Sequence, residues 1–103
     1  MPELDPIIQP LARTKIMATL HAVGAVPKHN EMKFARLREL LDVSDATLSK
    51  NLGELEKAGY ISRFREYGST RAKDTVWVSL TEAGARSYQE HVAALKKLLA
   101  EGC

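Results

Sequence analysis

The sequence predicts a mainly α protein carrying one small β-hairpin, an α+β chain in which helices outnumber strands. Three observations support this. Leu48, Leu52 and Leu55 recur at helical spacing on one face. A short turn, Asp42-Val43-Ser44, separates that pattern from an amphipathic segment before it. After it, the aromatic and β-branched run Tyr60 to Tyr67 and the alternating run Asp74 to Leu80 flank a turn-rich loop, which is a hairpin signal.

In chain order, Asp5 followed by Pro6 has the form of an N-cap and first helical position, opening a short turn through Ile7 and Ile8. Pro10 starts the next helix or kinks a continuous one. From there Leu11, Ile16, Leu20 and Val23 keep an approximate helical spacing, with Ala12 and Met17 or Ala18 beside them, until Gly24 ends the helix. Ala25 to Asn30 reads as a loop and Glu31-Met32-Lys33 as a short extended piece. The helix from about Ala35 is expected to bury Phe34, Leu37, Leu40 and Leu41 and to expose Arg36, Arg38 and Glu39.

Ser44 is the N-cap of the following helix, with Asp45 near its positive end and Gly59 at its stop. In the hairpin, Gly68 to Lys73 forms the loop; Val76, Val78 and Leu80 share one face, and Thr75, Trp77 and Ser79 the other. Trp77 is expected to pack against a neighbouring helix. Thr81 caps a last helix of about 18 residues, with Glu82 at its start. Along it Tyr88, Val92, Leu95 and Leu99 form a stripe flanked by Ala85, His91 and Leu98. Gly24, Gly68 and Gly84 read as structural punctuation.

At 103 residues the expectation is one domain over 1–103, with a helix-turn-helix at about 35–58, a hairpin at about 60–80 and a terminal helix at about 82–100. No apolar run approaches the roughly 20 residues that span a bilayer, and no basic-then-apolar leader is visible, so a cytoplasmic location and no membrane partner are expected. The lone cysteine, Cys103, leaves no disulfide or Cys-based metal cluster within one chain. His21, His29 and His91 lie on separate elements without the spacing of a zinc site, and read as packing, loop or interface residues. No Ser/His/Asp or Cys/His set and no Gly-rich phosphate loop is legible, so neither an enzyme, a cofactor nor a metal is expected.

A net charge of +2 is weak evidence for a polyanionic partner, and its distribution says more. Arg63, Arg65, Arg71 and Lys73 cluster in the hairpin against Glu66 and Asp74. Two helices joined by so short a turn form a helix-turn-helix, whose second helix fits the DNA major groove; a following hairpin makes it a winged helix-turn-helix. With the leucines turned inward, the outer side of that helix centres on Lys50, with Gly53, Glu54 and Lys57 around it. Base-edge readout needs short or medium donors and acceptors near the helix N-terminus. Ser44, Asp45, Ala46, Thr47, Ser49, Lys50 and Asn51 form the candidate DNA-binding set there. In the wing, Arg63, Arg65, Ser69, Thr70, Arg71 and Lys73 are candidates for the phosphate backbone or the adjacent minor groove.

The runs Phe34-Ala35-Arg36-Leu37-Arg38-Glu39-Leu40-Leu41, Val43-Ser44-Asp45-Ala46-Thr47-Leu48-Ser49-Lys50-Asn51-Leu52 and Leu55-Glu56-Lys57-Ala58-Gly59-Tyr60-Ile61 resemble the MarR-like winged-helix transcriptional regulators. Val78-Ser79-Leu80-Thr81-Glu82-Ala83-Gly84 is similar to the LTxxG junction between wing and last helix in those proteins. Within the group the chain is most similar to short, stand-alone winged-helix DNA-binding proteins. The resemblance implies a homodimer on a pseudo-palindromic operator in double-stranded DNA, usually acting as a repressor. Full-length members have longer terminal helices that build the dimer and an effector pocket; here those segments are short.

The stripe on the last helix is either core or a dimer seam. Residues near the junction are expected in the core and Leu95, Leu98 and Leu99 at the seam, so that N- and C-terminal helices dimerise. The candidate interface is Ile7, Ile8, Leu11, Tyr88, Val92, Leu95, Leu98 and Leu99. Two other readings stay open: a protein-interaction adaptor with weak DNA affinity, favoured by Glu54 on the outer face, and a switch gated by a small-molecule effector.

Overall fold

The computed structural model describes residues 3–26, 29–70 and 74–102. Its elements are α1 (Leu11–Val23), β1 (Met32–Lys33), α2 (Phe34–Leu41), α3 (Asp45–Lys57), β2 (Ile61–Glu66), β3 (Thr75–Leu80) and α4 (Glu82–Glu101). This is the predicted order, and local chemistry explains the boundaries. Gly24 takes the left-handed conformation, φ 67°, and its N–H bonds back to the carbonyl of His21 at 3.1 Å, closing α1. Asp42 adopts φ 52° after α2 and turns the chain. Ser44 and Thr81 are the N-caps of α3 and α4. Their hydroxyl oxygens accept from the backbone N–H of Thr47 at 3.1 Å and of Gly84 at 2.9 Å.

The three strands form an antiparallel sheet in the order β1-β3-β2. Register places Met32 beside Val78, Ile61 beside Leu80, and Trp77 between Lys33 and Phe64. The helices and one sheet face enclose a core of Ile16, Met17 and Leu20 from α1, Leu37 from α2, the three leucines of α3, and Ile61, Val78 and Leu80 from the strands. Each such side chain contributes about 1.5–3 kcal/mol by leaving water. The α3 leucines, 0–1% exposed, fix which side of that helix faces inward.

Several expectations are corrected. Leu40 is 48% exposed, because the inward stripe of α2 runs Phe34, Leu37, Leu41 and leaves Leu40 to one side. Ile8, expected at a partner chain, is fully enclosed in this chain's own core and has no surface to offer. Trp77 is half-buried between Lys33 and Phe64, with the Lys33 ammonium 5.5 Å from its ring centre.

In α4 the buried side and the most apolar stripe differ. Its buried residues are Gly84, His91 and Ala94; Tyr88 packs against the core, whereas Leu98 and Leu99 are 54% and 60% exposed. Gly84, rather than marking a break, lies inside the first turn, where a Cβ would fall 1.9 Å from the carbonyl oxygen of Tyr60. Only a residue without a side chain lets the helix sit on that backbone, and this seat sets the roll of α4. His91, 3% exposed, is satisfied there by accepting the backbone N–H of Asp5 on Nδ1 at 2.9 Å. The His21 ring lies 4.9 Å from that of Tyr88, tilted 45° to it, a packing contact.

Asp5 caps the N-terminal turn as expected, accepting the N–H of Ile7 at 2.8 Å on Oδ1. It also accepts the Tyr60 hydroxyl on Oδ2 at 2.5 Å. Through Asp5 the N-terminal turn is fixed to α4 and to the start of β2.

Candidate nucleic-acid interface

The outward side of α3 is built by elimination. With Leu48, Leu52 and Leu55 turned inward, the helix leaves Asp45, Ala46, Thr47, Ser49, Lys50 and Lys57 exposed, with Gly53 and Glu54 half-buried. Ser44 donates its hydroxyl to that of Thr47 at 2.9 Å, which leaves the Thr47 proton available to an acceptor outside the chain. Lys50 projects from the middle of this face, and its exposed neighbours Ala46 and Ser49 are short enough for close approach.

Three arginines, each from a different neighbouring element, tie α3 in place. Arg38 of α2 donates to Asp45 at 2.5 Å, Arg13 of α1 donates to Asn51 at 3.1 Å, and Arg63 of β2 donates to Glu56 at 2.8 Å. The hydrogen bond to Asp45, and then the charge of that carboxylate, raise the Arg38 guanidinium above its ordinary range. Both ion pairs are open to solvent, which screens them, so they matter for geometry more than for stability. They also neutralise Asp45 and Glu56, two carboxylates on the helix that would approach phosphates.

Four of the expected contact residues therefore have intramolecular partners, Asp45 with Arg38 being the first. Asn51 has both ends of its amide occupied: its oxygen by Arg13, its nitrogen by the carbonyl of Thr47 at 3.0 Å. Its half-buried side chain faces α1 rather than the open face of α3. Arg63 grips Glu56 through Nε and Nη2. Arg65 lies 3.6 Å from Asp74, whose other oxygen accepts the N–H of Gly68 at 3.0 Å and closes the base of the wing. Ser69 and Thr70 are exposed beyond it; Arg71, Lys73 and Cys103 lie outside the described residues.

A cleft joins the two halves of the interface. Phe34, Asp45, Ser49, Arg63, Arg65 and Val76 line it, so the exposed Ser49 of α3 and both strand arginines share one concavity. Behind α3, a small apolar cavity of about 170 Å³ lies against α1, bordered by Leu11, Ile16, Val43, Leu48 and Asn51. The candidate interface residues of the termini are spread: Leu11 is 68% exposed, Ile7, Tyr88, Val92 and Leu95 are half-buried, and Leu98 and Leu99 are exposed.

The sequence does not bring Arg13 to α3, and it presents Arg38 only as solvated. Arg38 precedes Asp45 by seven residues across the turn, a separation the motif itself brings together. Arg13 and Asn51 are 38 residues apart, and no local pattern signals their meeting. Among the described residues no helix is long and apolar enough to cross a membrane, and no group of three or more His, Cys, Asp or Glu residues is placed to hold a metal ion.

Residues 12–99 match the family of winged helix DNA-binding domains. No curated protein matches the chain in sequence at a significant level. Among solved structures, a transcriptional regulator homologue from Pyrococcus horikoshii superposes with a TM-score of 0.79 at 18% identity, over 92% of this chain and 86% of that one. TubR from Bacillus megaterium gives 0.69 at 21% identity, over 84% and 90%. ZitR from Lactococcus lactis, a zinc-responsive MarR family member, gives 0.57 at 27% identity, over 87% of this chain and 56% of that one. With the helix-turn-helix, the wing and the glycine-seated last helix in place, the chain belongs to the winged helix DNA-binding domain family.

Proposed function

We propose that this chain is a cytoplasmic, sequence-specific transcriptional regulator that binds a pseudo-palindromic operator as a homodimer and represses by occlusion. The observation that carries the reading is the division of α3, with three leucines buried and Thr47, Ser49 and Lys50 exposed beside a cleft shared with the wing arginines. In this reading Lys50, Thr47 and Ser49 read base edges, and Arg65 with the wing loop holds phosphates. The exposed Leu11, Leu98 and Leu99 support a seam between terminal helices, which would set two recognition helices about one DNA turn apart.

Selection of bound duplexes from a randomised pool tests the reading. The wild type is expected to enrich one inverted repeat. Lys50→Ala should then lose about tenfold or more in discrimination between the selected duplex and a scrambled one. Arg65→Ala should weaken both alike and lower the salt slope by about 1. Equal losses on both duplexes for Lys50→Ala would remove α3 as the reading element. The exposure of Phe64 (58%) and Tyr67 (77%) on the hairpin favours a second reading, an adaptor for another protein. Absence of binding to any duplex at low salt would favour it.

A further inference from the structure

We infer that Arg13 is a positioning residue for DNA recognition, setting the roll of α3 without touching DNA itself. The inference rests on the proposed reading of α3 as the recognition helix. Burying Leu48, Leu52 and Leu55 decides which side of α3 faces inward, but apolar contact is non-directional and tolerates small rolls of a helix. A hydrogen bond constrains both distance and angle. Arg13 supplies one on the flank of α3 facing α1: Nε donates to Asn51 Oδ1 at 3.1 Å, and Asn51 Nδ2 in turn donates to the Thr47 carbonyl at 3.0 Å. Thr47 and Asn51 are one turn apart, so the tie bears on the half of the helix that also carries Ser49 and Lys50.

A positioning residue holds only as firmly as its other end. Arg13 Nη1 donates to the carbonyl of Ile7 at 3.3 Å. The N–H of Ile7 is held by Asp5, which also receives the Tyr60 hydroxyl and donates its own N–H to buried His91 of α4. The chain of bonds therefore refers α3 to the frame of α4 and the N-terminal turn. Arg13 is half-buried and uses two nitrogens of one planar group on two acceptors, a geometry that a lysine ammonium does not reproduce. The other two arginine ties end on exposed carboxylates, Asp45 and Glu56, at the two ends of the helix. The Arg13 tie meets its middle.

The test compares dissociation constants for a duplex selected by the wild type and a scrambled duplex of the same composition, for wild type, Arg13→Lys, Asn51→Ala and the double variant. Each single variant is expected to lose about tenfold in discrimination, with affinity for the scrambled duplex and its salt slope unchanged. The double variant should lose no more than either single one, because both remove the same tie. Unchanged discrimination in both singles, or losses that add in the double, would overturn the inference. So would an equal weakening on both duplexes, which marks a phosphate contact. A wild type that selects no sequence instead removes the DNA-reading assignment of α3, and the positioning role with it. Arg13→Lys keeps the charge and most of the stem; Asn51→Ala cuts the same tie from the other side should the first variant unfold.

Discussion

Tyr60 shows how much one residue can join. Its hydroxyl donates to Asp5, its carbonyl accepts the N–H of Thr81 at 3.1 Å, and its backbone forms the seat for Gly84. The hydrogen bond to Asp5 raises the phenol from its ordinary value of 10.0; a bond with Ser87 opposes this, and burial adds to it. The folded state therefore binds the phenolic proton more tightly than the unfolded chain. The stabilisation is fully present below pH 10.0 and is lost as pH rises through the folded value. Tyr60→Phe should cost about 1 kcal/mol at neutral pH and flatten the alkaline fall in stability, measured by denaturant unfolding between about pH 8 and 11. A fall of the same steepness in the variant would assign it to other groups.

Among the elements, the legible features were those fixed by neighbours in sequence. Ser44, Thr81 and Gly24 set helix ends through chemistry confined to a single turn, and Leu48, Leu52 and Leu55 announced the inward face of α3 by spacing alone. The inward face of α4 was not legible, because its most apolar stripe is not its buried one. Gly84, His91 and Ala94 turn in because the helix seats on a backbone carbonyl more than 20 positions earlier. The candidate readers Ser49 and Lys50 followed from elimination, whereas Asn51 and Arg63 required knowledge of Arg13 and Glu56 across the fold. Gly84→Ala tests the seat. With backbone 1.9 Å from the new Cβ, α4 must shift, and a loss of about 2 kcal/mol or more is expected in chemical denaturation. Gly53→Ala, with nothing within 4 Å of the added Cβ, serves as the control and should gain helix propensity.

For the whole molecule, the proposed dimer places the strongest demand on the far end of α4. Leu98 is 54% exposed beyond the last buried position of that helix, and Leu11 lies exposed at the start of α1. Leu98→Glu is expected to shift sedimentation equilibrium toward monomer and to weaken binding to an inverted repeat more than to a single half-site. The fold of the monomer, followed by circular dichroism, should persist. A variant that stays dimeric would place the seam elsewhere.

Gly84 also gives α4 the mechanics of a lever. The helix is 20 residues long, bears on Tyr60 in its first turn and is held again at His91 and Ala94. At 1.5 Å per residue, a tilt of about 5° at that bearing swings the distal end by about 2 Å. The absent side chain thus acts as a machining tolerance: the closer the fit on Tyr60, the smaller the error carried to the tip, and the more closely the proposed dimer would hold its two α3 helices at a fixed span.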